Sequence, residues 1–300
     1  MGFLLFFIDG FGIGKASKTN PLYSYGLWKS IIGLKGLITE NKIIKKSYCI
    51  IPTDAKLGID GIPQSATGQT TILTGINAPK IIGAHITGYP STTLTEVINR
   101  HSILKNIKEK GFLPTSANAY SREYFKMIEE KNRRVSATTL AIMAAGISFK
   151  MLDDIYKGDA VFMDITNHIL VTRYPNHRKI TTKNAAKNIV NLINTHDFVL
   201  YEYFLTDHFG HKGNLKQKKY ILRNLNSFLK NIIIKSLDLN KHTVIITSDH
   251  GNIEDSTTKQ HTENKVPTIV FSKNRKILLD FYKNIETIQD VPRLIMNYFV

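Results

Sequence analysis

Apolar residues in this chain fall into short continuous runs that break off at an acidic residue. Phe3 to Ile8 leads into Asp9, Val199 to Leu205 (interrupted by Glu202) into Asp207, and Val244 to Ile246 into Asp249. Continuous rather than alternating apolarity requires burial on both faces, the condition of parallel strands held between helical layers. Further strand-like runs occupy Tyr48 to Ile51, Phe112 to Ala117, Ala160 to Met163 and Pro267 to Phe271. Between them the period becomes helical. Thr181 opens a run with Ala185, Ile189 and Ile193 at four-residue spacing, and Ser102 is placed to cap a lysine-rich segment ending at Gly111. Pro292 to Phe299 reads as a closing helix. The pattern predicts an α/β chain. Ligands of such sheets gather beyond the carboxyl ends of the strands, so the three acids are expected to converge although about 200 residues separate the first from the others.

Composition narrows the class. At 300 residues the chain has room for two modest domains or one large α/β domain with an insertion. The segment from about 123 to 151, rich in Lys, Arg, Met and Ala, is the candidate lid. With 42% hydrophobic and 10% aromatic residues, disordered and collagen-like chains are excluded. The formal charge is +16, but only nine of the 40 basic residues are arginine and the lysines are dispersed. Ammonium groups read phosphates and bases less well than guanidinium forks, so nucleic acid is not the expected partner; the charge would instead draw small anions. No apolar run approaches the roughly 20 residues that cross a bilayer, and the Gly2 to Ile8 run is short and has no basic leader, so no membrane partner is expected. Met1-Gly2 is not read as an acylation signal, because Phe6 stands where Ser or Thr is needed. The single Cys49 permits neither an internal disulfide nor a thiolate cluster. Any metal must then be held by carboxylates and imidazoles, and a reducing cytoplasm is the expected location.

Five of the ten histidines (His208, His211, His242, His250, His261) lie between positions 208 and 261, interleaved with Asp249, Glu254 and Asp255 and preceded by Asp207. Asp207-x-x-x-His211, the Asp249-His250 pair and His261 combine hard oxygen with borderline nitrogen donors, a mixture suited to Zn²⁺ or Mn²⁺. His208 and His242 lack a motif partner and are read as ordinary structural or surface residues. A second constellation is Pro63-Gln64-Ser65-Ala66-Thr67-Gly68-Gln69-Thr70. Ser65 sits where a loop would enter a helix, whose free N–H groups stabilise an anion; Ser65 or Thr67 could equally be a plain N-cap. Near bound cations such a hydroxyl becomes a nucleophile. Gly10-Phe11-Gly12-Ile13-Gly14-Lys15 is not a phosphate loop, which needs Gly at Asp9 and Ser or Thr at Ala16, and its third glycine comes one residue early for a dinucleotide fold. These glycines fit tight packing around a metal ligand at a strand end.

Taken together, the chain resembles the metal-dependent alkaline phosphatase superfamily, in the branch of cofactor-independent phosphoglycerate mutase and phosphopentomutase. The resemblance rests on Phe7-Ile8-Asp9-Gly10-Phe11-Gly12, Ser65-Ala66-Thr67-Gly68-Gln69, Asp207-His208-Phe209-Gly210-His211, Thr247-Ser248-Asp249-His250-Gly251-Asn252, and His261-Thr262 with Val266-Pro267, all in the family's order. It covers both ends of the chain; the middle matches poorly. It implies a single alkaline-phosphatase-like α/β domain over 1–300, a sandwich with a mostly parallel central sheet, helices on both faces and a small lid insertion. It also implies one metal held by Asp9, Asp249 and His250 with Ser65 as bridging nucleophile (Thr67 as fallback), and a second held by Asp207, His211 and His261. Gln69 departs from the family histidine after Gly68, which bears on the substrate rather than on the metals. There is no room for the large inserted phosphotransferase domain of the phosphoglycerate mutase, and Ser65-Ala-Thr-Gly lacks the Pro and Arg of sulfatases.

The expected function is therefore two-metal phosphoryl transfer from a small phosphate ester through a phosphoserine at Ser65, resolved by water in a phosphatase or by the substrate's other hydroxyl in a mutase. Gln69, Lys15, Asn118, Arg133 and Arg134 are candidate substrate contacts, with Asp164 a remoter one; for the arginines a solvated charged face is the competing reading. The rival class is a non-catalytic, metal-stabilised binding protein with a basic surface. Two three-residue ligand sets and a hydroxyl leave open coordination positions, which favours catalysis. The oligomeric state is not legible in the sequence.

Overall fold

Strand β1 (Gly2–Ile8) is buried at every position, and its side chains alternate between two separate apolar cores. Leu4, Phe6 and Ile8 face one core; Phe3, Leu5 and Phe7 face the other. That two-sided burial requires a layer of helices on each side of the sheet. The computed structural model describes residues 1–36 and 39–300.

Among the described residues the chain forms nine strands: β1, β2 (Ile43–Ile44), β3 (Tyr48–Thr53), β4 (Pro114–Ser116), β5 (Ala119–Tyr120), β6 (Lys150–Met151), β7 (Phe198–Tyr203), β8 (His242–Thr247) and β9 (Val266–Phe271). Seven of them make one sheet in the order β2-β3-β9-β8-β1-β7-β4. β1 pairs in parallel with β7 and β8, and β4 with β7, while β9 is antiparallel to β8, β3 to β9 and β2 to β3. Following those senses across the sheet, only β2 and β9 run against the rest. The architecture is thus α/β with a mixed, mainly unidirectional sheet. The three acid-terminated strands are its central trio, β7-β1-β8, with Ile8 opposite Tyr203 and Phe7 opposite Thr247.

The helices form where their patterns place them. Thr181 caps the helix Thr182–Thr195 by accepting from Asn184 N–H, and Ser102 caps Ile103–Glu109 by accepting from Lys105 N–H. Thr182–Thr195 and the capping-boxed Leu215–Lys230 cover one face of the sheet; Ser65–Thr74, Thr92–His101, Ile103–Glu109 and Arg275–Asn284 cover the other. The closing helix is Asp290–Met296. Among the described residues no helix is long and apolar enough to cross a membrane.

Two expectations need correction. Ala160 to Met163 is not a strand: only Val161 bridges, to Asn118, and the chain turns at once through Asp164, whose carboxylate accepts from Asn167 and Ile169 N–H. Four apolar residues in a row here mark a buried turn, not a ladder. The segment 123–151 also divides. Its helix Ala137–Ala145 buries Ala137, Ala141, Ile142 and Ala145 in the core that Phe3, Leu5 and Phe7 face, while the helix Arg122–Glu129 has no buried residue and borders a cavity.

Candidate functional site

Asp9 follows β1, Asp249 follows β8, and Asp207 lies in the first turn of the helix Leu205–Lys212 that follows β7. Because these strands are adjacent and parallel, their carboxyl ends bring the three acids to one edge of the sheet. Gly10, at φ +66°, lets the chain turn there; a Cβ on it would lie 2.8 Å from Asp207 Cβ. Ser65 opens the helix Ser65–Thr74, and Gly68 in its first turn lets that helix press onto Asp249, where a Cβ would come within 2.8 Å of Asp249 Cβ.

Each buried aspartate has one oxygen engaged by the protein and one free. Asp9 Oδ2 accepts from Gln69 Nε2 at 3.1 Å, and Asp249 Oδ1 accepts from Gly10 and His250 N–H at 3.2 and 3.0 Å. Asp9 Oδ1 and Asp249 Oδ2 are buried without a hydrogen-bond partner, and each lies 3.3 Å from His250 Nε2. Ser65 Oγ is 2.9 Å from the same nitrogen. On the other side, Asp207 Oδ1 lies 3.3 Å from His211 Nε2 and 3.2 Å from His261 Nε2, and accepts from Asn252 Nδ2 at 2.6 Å. The rings of His250 and His261 stack with centroids 3.7 Å apart, and Asp207, His250 and His261 also offer atoms within common reach, so His250 stands between the two sets.

The tautomers follow from the backbone. His211, His250 and His261 each point Nδ1 at a carbonyl oxygen, of Lys259, Gly251 and Pro63, and a carbonyl can only accept. In the neutral rings Nδ1 then carries the proton and Nε2 presents a lone pair, the second-sphere arrangement of metal-ligating histidines. His211 and His261 consequently face each other Nε2 to Nε2 at 3.0 Å. Two lone pairs repel at that separation, and unpartnered buried carboxylate oxygens are costly; a shared cation relieves both. The donors therefore fit divalent metal ions.

The electrostatics agree. Burial, then the charges of Asp249, Asp207 and Glu202, push the Asp9 carboxyl well above its ordinary range. Burial raises Asp249 as well, partly opposed by His250. Burial also pushes Asp207 upward, but the His211 and His261 rings, which donate to it whenever their Nε2 atoms are protonated, act with His250 and Asn252 to outweigh burial and hold this carboxyl below the usual range. Burial pushes Glu202 up to about 7.

The predicted residues separate into those that meet at this site and those that do not. The six candidate ligands, Ser65 and Gln69 come together. Thr67 does not: it is fully buried, its hydroxyl donates to Gln64 O and accepts from Ile86 N–H. Ala66 and Thr67 N–H both point at Ile86 O, so the helix start is not the free anion site expected from sequence. Asn118 borders the cavity, but its amide completes the β-ladder, donating to Glu202 O at 2.8 Å and accepting from Glu202 N–H at 2.9 Å. Arg133 borders the cavity, Arg134 stacks on Tyr89, and Lys15 is exposed and away from the cavity lining. His208 is exposed beside Phe209, and His242 bonds Gly2 N–H and Asn194. Sequence reasoning placed Glu254 among the clustered acids but missed its role, which is to accept, buried, from Gly12 N–H, Asn252 N–H, Thr262 Oγ1 and Asn264 Nδ2. It also missed Glu202, which had registered only as an interruption of an apolar run; that anomaly was the available signal.

The Metalloenzyme superfamily model matches residues 1–300. The 2,3-bisphosphoglycerate-independent phosphoglycerate mutase of Methanococcus aeolicus is 30% identical over 95 residues, 32% of this chain and 23% of that protein. The enzyme of the same name from Pyrococcus abyssi is 22% identical over 181 residues, 58% of this chain and 40% of that one. The matches thus span well under half of these relatives' length. The alkaline phosphatase from the Antarctic bacterium TAB5 superposes with a TM-score of 0.51 at 13% identity, covering 99% of this chain and 98% of that one, which is a likeness of fold.

Proposed function

Because the chain belongs to the metalloenzyme superfamily, we propose that it is a two-metal phosphoryl-transfer enzyme using Ser65 as nucleophile on a small phosphate ester. The observation that carries this reading is the convergence on His250 Nε2 of two unpartnered carboxylate oxygens and the Ser65 hydroxyl. Asp9, Asp249 and His250 would hold one ion, and Asp207, His211 and His261 the other, with Zn²⁺ or Mn²⁺ suited to the mixed donors. Divalent cations bound there supply charge that favours a deprotonated hydroxyl and neutralises phosphoryl oxygens.

The protein's own contribution is positional. Ser65 is 8% exposed and fixed at the first position of a buried helix, where it lines the cavity, so its Oγ would meet a phosphoryl group bound there without further ordering. The Oγ–P bond forms as the ester oxygen departs, and the phosphoserine is resolved by water or by a second substrate hydroxyl. Gln69 and Asn252 keep the Asp9 and Asp207 carboxylates oriented. Residues within 119–134 and 162–174 line the cavity that reaches Ser65 and would act as the lid that limits water. The lone Cys49 supports a reducing, cytoplasmic setting.

The test is turnover of p-nitrophenyl phosphate by chelator-stripped protein with Mn²⁺ or Zn²⁺ restored, in wild type and Ser65→Ala. Metal-dependent phosphate release, reduced roughly 10³-fold or more in the variant, is expected. For a strict mutase the readout is a phosphoserine at Ser65, by mass spectrometry, after incubation with 3-phosphoglycerate. Neither turnover nor phosphoserine would leave the non-catalytic, metal-stabilised binding protein as the correct reading.

A further inference from the structure

The metal cluster forms the floor of a cavity of about 650 Å³, with Asp9, Ser65, Gln69 and Asp207 at that end. A three-carbon phosphate ester is far smaller than this space, which matches ligands with a sizeable organic body. The walls are aromatic. Tyr89, Tyr120, Tyr124, Tyr174, Phe162 and Phe204 all line them.

What these rings offer is decided by their hydroxyls. Tyr120 and Tyr124 both direct their hydroxyls to Thr139 Oγ1, at 3.3 and 2.8 Å. Tyr174 donates to Ser121 Oγ and Glu123 Oε2, both at 3.2 Å. With these three hydroxyls spent on the protein, the rings of Tyr120, Tyr124 and Tyr174 are what they offer a ligand. The rings are also immobilised: Tyr120 packs on Tyr124 at 5.1 Å and on Phe149 at 5.1 Å, and Arg133 covers one face of Tyr124 at 4.8 Å. A rigid wall of rings suits a planar partner, because stacking needs no directional hydrogen bond and little ordering.

Charge points the same way. The charged lining residues that are buried are all acidic: Asp9, Glu202 and, half-buried, Asp207. The two lining cations, Arg133 and Arg173, are exposed at the rim. A substrate carboxylate beside the reacting phosphate would find no buried cationic side chain to pair with, whereas an uncharged ring can rest on the aromatic lining of Tyr120, Tyr124 and Tyr174.

We infer that the substrate is a phosphomonoester whose alcohol carries a planar aromatic group of nucleoside size, its ring held against Tyr120, Tyr124 and Tyr174 while the phosphate reaches Ser65. This rests on the proposed function for the identity of the reacting end, but its binding arm does not. Isothermal titration of adenosine 5′-monophosphate, glycerol 3-phosphate and 3-phosphoglycerate into metal-loaded Ser65→Ala protein measures the preference without turnover. Wild-type kcat/KM for the first two measures it with turnover.

The nucleotide is expected to bind at least tenfold more tightly than either three-carbon ester. Tyr174→Leu should abolish about tenfold of that difference, while Tyr174→Phe, which keeps the ring, retains it. Tyr124→Leu with Tyr124→Phe is the second pair, should the first leucine variant not fold. Equal affinities, or a preference for 3-phosphoglycerate, would overturn the inference. Nucleotide binding with neither hydrolysis nor phosphoserine at Ser65 in wild type would sink the proposed function and leave this inference standing; hydrolysis without nucleotide preference would do the reverse.

Discussion

At the scale of single residues, the site depends on groups that hold ligands as much as on the ligands. Gln69 donates to Asp9 Oδ2 and so leaves Oδ1 free toward the cluster. Removing such an outer partner typically costs 10- to 100-fold in metal affinity. Gln69→Ala should weaken Mn²⁺ or Zn²⁺ binding by about that factor, measured by competition with a chromogenic chelator, while a change under twofold would show Asp9 to be oriented by other means. Glu202 gives a pH prediction. Burial lifts its carboxyl from 4.5 to about 7, so the folded chain holds this proton more tightly than the unfolded one. The resulting stability is complete below about pH 4.5 and is lost as pH rises through 7, amounting to roughly 3 kcal/mol at most. In chelator-treated protein, Glu202→Gln should gain stability over wild type from pH 5 to pH 8 in urea denaturation. Parallel profiles for the two proteins would remove this account.

At the scale of elements, two loops from opposite ends of the chain are tied by one buried carboxylate. Glu254 receives Gly12 N–H at 2.9 Å, Asn252 N–H at 2.8 Å and Asn264 Nδ2 at 3.0 Å, as well as Thr262 Oγ1. It therefore joins the turn after β1 to the turn after β8 and to the approach to β9, the segments that carry Asp9, Asp249 and His261. Hydrogen bonds to a charged group contribute about 1.5–3 kcal/mol, and stranded buried donors cost a similar amount. Glu254→Ala should lower stability by roughly 3 kcal/mol and weaken metal binding together, by thermal denaturation and metal titration. A stability loss with unchanged metal affinity would mean that the loops are held in register without it.

At the scale of the whole molecule, the proposed ligands come from strand ends and a following loop that only the folded chain assembles, so an ion held by them would bind the native state in preference to the unfolded one. Stability must then rise with metal concentration, by about 4 kcal/mol at a thousandfold excess over Kd. Tm should climb with added Mn²⁺ or Zn²⁺ and fall with chelator, equally in wild type and Ser65→Ala. A Tm indifferent to metal would contradict the assignment of this cluster as a metal centre.

The sequence by itself determined the elements and the identity of the chemistry-bearing groups. Continuous apolar runs ending in Asp9, Asp207 and Asp249 made β1, β7 and β8 legible, because burial on both faces leaves a local signature and an acid terminating such a run is anomalous. The caps at Ser102 and Thr181 were legible for the same reason: capping is a contact across three residues. Tertiary structure alone decided what depends on distant partners. It set the antiparallel senses of β2 and β9, which no local pattern encodes, and it separated the core helix Ala137–Ala145 from the cavity-bordering Arg122–Glu129. It also drew the hydroxyl of Thr67 away from the cluster and Asn118 into the ladder, and tied the hydroxyls of Tyr120, Tyr124 and Tyr174 to protein partners. A polar side chain has several possible partners, and only the packed chain selects among them.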